Sequence, residues 1–148
     1  MKRSRGLTII EVLVSMVILA VLMVLTLGPI AASFRLTGQN NRTLNATTQA
    51  QQIMEGIRGS WQNLNCYQRT QAAIGTLPGN VSVGVSSYNP ITNTTTAIGN
   101  LSTVAVGASC TTGTITNATY KRVVVSVRQN ANMASPVLAQ LTLDIPSP

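Results

Sequence analysis

Three carboxylates, two thiols and no imidazole make up the carboxylate, thiol and imidazole inventory of this 148-residue chain. The carboxylates stand far apart, at Glu11, Glu55 and Asp144. No two of them pair to share general acid and base roles or to flank a glycosidic bond. Cys66 and Cys110 have no histidine to join them at zinc, and oxygen ligands for calcium are few. There is no glycine-rich phosphate loop. The inventory argues against an enzyme, and no cofactor or metal is expected. What remains is Glu11, set at the edge of an apolar run, and two thiols able to pair.

The apolar run dominates the N-terminus. A basic leader, Met1 to Gly6, meets it at Gly6-Leu7, and Val12 to Phe34 is 23 residues without a charge. As a helix that stretch rises roughly 35 Å, enough to cross a bilayer. A cleavable secretory signal has a shorter apolar core closed by an A-x-A-like site, which is absent here. Glu11 resists the simpler reading of a plain uncleaved anchor. A carboxylate near the edge of a span costs a few kcal/mol unless paired. Lys2, Arg3 and Arg5 lie near it in sequence, and a helix N-terminus also favours it. Those three basic residues, against the sparser Arg35 and Arg42, orient the span with a cytoplasmic N-terminus and an exported domain.

The residues K-R-S-R-G followed by L-T-I-I-E-V-L-V resemble the type IV pilin family and its pseudopilin relatives. The resemblance covers about the first 30 residues. It implies that a prepilin peptidase cuts between Gly6 and Leu7 on the cytoplasmic side and methylates the new amine of Leu7. The family prefers phenylalanine where this chain has Leu7. Glu11 then lies four residues beyond the new N-terminus, where the family keeps a glutamate. In a filament both charges would be buried among apolar helices, so Glu11 is expected to be an assembly residue paired with the Leu7 amine of its own or a neighbouring subunit, the alternative being that it only favours the helix N-terminus. Proline in a helix removes a hydrogen bond, so a kink or unwound segment is expected at Gly28-Pro29. In type IV pilins such a pair permits melting when subunits pack.

The implied partners are other pilins in a homo- or hetero-polymer, the prepilin peptidase, the pilus assembly machinery and, before assembly, the bacterial inner membrane. The implied product is an extracellular pilus serving adhesion, motility or DNA uptake. The alternative is a periplasmic pseudopilus of a type II secretion system. A third class, a monomeric anchored binding domain, is disfavoured by the Gly6-Leu7 junction and Glu11.

Removing the leader's three positive charges lowers the net charge from +7 to +4. Only 9% of residues are charged, and the exported part is rich in amides and hydroxyls. That surface suits a protein packed among its own copies. In an oxidising compartment Cys66 and Cys110 are expected to form a disulfide, the alternative being two buried free thiols. Many pilins enclose a segment near the C-terminus with their disulfide, whereas about 38 residues follow Cys110 here. This departure fits a minor or divergent subunit.

The fold class expected is α+β and pilin-like, a long N-terminal helix packed on a small, mostly antiparallel sheet. The segments are a leader at 1–6, an apolar membrane and assembly helix at 7–34, its amphipathic continuation at 35–60 and a β-rich exported domain at 61–148. Leu36, Ala46, Ala50, Ile53, Met54, Ile57, Trp61 and Leu64 share one helical face, with Gly59-Ser60 as the stop. Asn65 to Gly79 reads as a connecting loop. Strands are expected from Val81, over Leu101 to Ala108, over Thr119 to Arg128 and over Pro136 to Ile145. Gln129 to Ser135 would turn the last hairpin. Lys121, Arg122 and Arg128, with Tyr120, read as a solvated strand edge. DNA contact is the sharper alternative, weakened because neighbouring strand residues point to opposite faces.

Overall fold

The computed structural model describes residues 8–148. Helix α1 (Ile9–Ser60) is followed by α2 (Leu64–Gln68). Six strands come next: β1 (Gln71–Ala72), β2 (Val81–Asn89), β3 (Thr94–Asn100), β4 (Ser102–Thr103), β5 (Tyr120–Arg128) and β6 (Val137–Pro146). The chain divides into two compact units, with the boundary between Asn41 and Arg42 inside α1.

In the first unit the described residues are α1 and its entry. The Thr8 carbonyl accepts the N–H groups of Glu11 and Val12 at 3.1 and 3.3 Å, which starts the helix. Hydroxyls within the apolar run turn back onto the helix's own carbonyls. Ser15 donates to Glu11 O, Thr26 to Leu22 O and Ser33 to Pro29 O. Each hydroxyl donor is thereby satisfied within the helix and needs no outside acceptor. The helix continues without a break through Gly28 and Pro29. Pro29 lacks the N–H that would reach the Leu25 carbonyl. Gly38, Asn40 and Asn41, weak helix formers, are also helical.

The second unit is built on the antiparallel sheet β3-β2-β5-β6. The Val-x-Val alternation of β2 and β5 places Val83, Val85, Val123, Val125 and Val127 on one buried face. Ala46, Ala50, Met54, Ile57 and Trp61 supply the opposing helical stripe. The small residues Ala46 and Ala50 leave little side chain between helix backbone and valines. Leu64 and Leu36, assigned to this stripe by spacing, are instead exposed.

Three local expectations are corrected. The second strand is not Leu101 to Ala108. The sheet continues earlier, through Thr94–Asn100, and only Ser102–Thr103 of the expected stretch is strand. The reason lies in the turn. Asn89 Oδ1 accepts the N–H groups of Ile91 and Thr92, and Asn93 adopts φ 52°. The chain reverses tightly there, and β-branched Thr94 to Thr96 enter the ladder at once. Second, the connection after α1 is structured. Asn63 caps α2 by accepting Asn65 N–H, and β1 pairs in parallel with β4. Third, β5 is a central strand rather than an edge.

Candidate assembly helix and a buried lysine

Gly6 and Leu7 lie outside the described residues. Glu11 occupies the first turn of α1 with its side chain exposed, and its carbonyl accepts the Ser15 hydroxyl at 2.7 Å. An acidic residue at this position complements the helix dipole. Beyond it, apolar side chains stand exposed on every side of the helix, from Val12 at 41% to Phe34 at 75%. An 18-residue window reaches a mean hydropathy of 2.8, so α1 is long and apolar enough to cross a membrane. Burying one such side chain is worth about 1.5–3 kcal/mol. The helix therefore has a large driving force towards lipid or towards other apolar helices.

Cys66 on α2 and Cys110 in the loop after β4 form a disulfide, with Cα atoms 4.8 Å apart. Both are buried. The bond joins the helix exit to a loop that has little regular structure.

Sequence reasoning placed Lys121 in a solvated basic cluster, and the structure buries it completely. It shares the inward face of β5 with Val123, Val125 and Val127. Its Nζ donates to the Tyr67 carbonyl and, at 2.8 Å, to the Thr70 hydroxyl. The ammonium lies 4.6 Å from the Tyr67 ring centroid and 5.4 Å from that of Trp61. Those rings meet edge to face at 5.4 Å. Trp61 Nε1 donates to Gln71 O at 2.8 Å, and the Tyr67 hydroxyl reaches the carbonyls of Ala118 and Ile145. Burial pulls the Lys121 ammonium down to about 8, and the Tyr67 phenol is pushed up to about 12 by the same cause. The strand alternation was the available signal: Lys121 has the parity of the three valines.

The remaining members of the expected basic cluster separate. Arg122, on the other face of β5, makes a two-pronged ion pair with Asp144 at 2.7 and 2.8 Å. Its guanidinium lies 3.9 Å over the Tyr88 ring. The hydrogen bond from Arg122 holds the Asp144 carboxyl below its usual range. Arg128 Nη1 donates to Ser135 O across the β5–β6 turn. Lys121 and Arg122 therefore do not join one cationic patch on β5. Among the described residues no group of three His, Cys, Asp or Glu side chains gathers to hold a metal.

Residues 1–27 match the family model described as the prokaryotic N-terminal methylation motif, the cleavage motif of type IV prepilins. No curated protein matches the chain, and no solved structure matches it. The motif supports a precursor of the type IV pilin-like or pseudopilin kind, a structural subunit rather than an enzyme. It implies processing by prepilin peptidase and assembly into pilus-like polymers. Motif and apolar helix together support membrane anchoring before assembly.

Proposed function

We propose that this chain is a structural subunit, major or minor, of a type IV pilus-like filament. The observation that carries the reading is the methylation motif at residues 1–27 continuing into a helix whose apolar side chains are exposed all round. In this reading peptidase cleavage removes residues 1–6 and leaves a methylated amine on Leu7. The apolar helix of 7–34 is stored in the inner membrane with the β-rich domain outside. Assembly exchanges lipid contacts for contacts with the helices of other subunits. Lipid tails are as apolar as those helices, so register cannot come from hydrophobicity alone. A buried charge costs several kcal/mol unless paired. Glu11 meeting the Leu7 amine of its own or a neighbouring subunit would therefore select one axial position. Melting near Gly28 and Pro29 on packing belongs to the same proposal, because the missing Pro29 donor weakens that turn.

The test is to shear surface filaments from cells and identify their subunits by mass spectrometry. Recovery of this chain in sheared filaments supports the pilus reading. Its absence there, with loss of exported proteins from the medium on deletion, assigns it to a secretion pseudopilus instead.

A further inference from the structure

We propose that the end of the sheet between the β2–β3 turn and the loop entering β5 is a binding site for a neutral saccharide. The chain holds five aromatic residues, one Trp, three Tyr and one Phe. Phe34 belongs to the apolar helix, and Trp61 and Tyr67 are core residues around Lys121. The other two, Tyr88 and Tyr120, both line one cavity of about 360 Å³. Asn89, Pro90, Asn117 and Thr119 share its wall, and no charged side chain lines it.

The walls are held in place from behind. Asn89 Oδ1 accepts two N–H groups of its own turn. On the other side Ser147 N donates to Thr119 O at 2.9 Å, and the Tyr67 hydroxyl donates to Ala118 O at 3.0 Å. Tyr88 is braced by Arg122, whose charge Asp144 already balances. Polar groups facing outward are uncommitted by contrast. The Asn117 amide and the hydroxyls of Thr119 and Tyr120 make no hydrogen bond within the described chain, and the Tyr120 ring has no stacking partner there.

A concavity lined by ring surface, amides and hydroxyls fits a small polar ligand. A sugar offers C–H faces to the electron-rich ring and a rim of hydroxyls to amides and hydroxyls that both donate and accept. The uncharged lining selects neutral saccharides over uronates or sialic acids. The cavity is lined only by residues of the second unit.

Saturation-transfer NMR on the full-length protein in a zwitterionic, sugar-free detergent tests this. The probes are lactose, cellobiose and chitobiose, with a digalacturonate as charged comparator. The expected result is transfer to at least one neutral disaccharide. Tyr120→Ala should weaken binding by about ten-fold, the size of a lost aromatic contact. Tyr120→Phe keeps the ring and should weaken it less. Asn117→Ala, at an exposed loop position, should also weaken binding and carries the test if Tyr120→Ala does not fold. The proposal is overturned by no transfer from any of the three, by equal binding in the variants, or by preference for the digalacturonate. Self-association lost in Tyr120→Ala, without saccharide binding, would overturn it too and assign the cavity to a second copy of the chain.

Discussion

Lys121 is a cation in the core with no carboxylate beside it. Among the described residues, two ring faces, a carbonyl and a hydroxyl compensate it. Its folded value of about 8 lies below the unfolded value of about 10.4, so between them the unfolded chain binds more protons. Stability must then rise as pH climbs from about 8 towards 10. Tyr67 acts in the opposite sense. Its phenol stays protonated in the fold up to about 12, so its contribution is present below about 10 and lost above it. Thermal unfolding of the detergent-solubilised chain should therefore peak near pH 10. Lys121→Met keeps the stem and removes the charge. It should cost no more than about 1 kcal/mol at pH 7 and abolish the rise between pH 8 and 10. A rise unchanged in Lys121→Met would show that another group titrates.

Glu11 is the second residue with a separable role. If it pairs with the Leu7 amine, Glu11→Ala yields a processed, membrane-inserted subunit that assembles poorly. If it only favours the helix terminus, it contributes about 0.3–1 kcal/mol and assembly is near normal. Filament yield measured beside the membrane pool of mature subunit separates the two.

At the scale of elements, helix and sheet were legible because each carries an uninterrupted period. Ala46, Ala50, Met54 and Ile57 recur at helical spacing, and the valines of β2 and β5 recur every second residue. The strand at Thr94–Asn100 was not legible, because threonine reads as polar while its β-branch favours the ladder. The short α2 and β1 were hidden as well, being held by a cap and by long-range pairing rather than by pattern. Lys121 was misread by residue type although its parity was correct.

Gly56 lies on α1 where a Cβ would stand 2.7 Å from Ile74 Cγ2. Alanine is the better helix former by about 1 kcal/mol. An overpacked contact costs about 1–3 kcal/mol, so Gly56→Ala should destabilise by roughly 1 kcal/mol net. A raised midpoint in thermal unfolding would mean that Ile74 yields freely. The disulfide closes a loop across 44 positions. Reduction should cost about 4 kcal/mol at most and lower the unfolding midpoint, as read by thermal unfolding with and without reductant. An unchanged midpoint would mean that the α2 region is held by the Tyr67 and Lys121 contacts alone.

At the scale of the whole molecule, one chain divides labour between two units. The apolar helix carries the demand for lipid or for other helices. The second unit carries a disulfide, a buried cation and a sheet whose polar face is rich in hydroxyls. Joining these to a filament rests on the motif at residues 1–27, because processing there would create the amine that Glu11 is proposed to meet. The most direct measurement is the intact mass of the chain recovered from cells, with its N-terminus sequenced by fragmentation. The account predicts a chain that begins at Leu7, carries one added methyl on its amine and keeps the Cys66–Cys110 bond. A chain that retains residues 1–6, or one cut beyond Phe34, would contradict it.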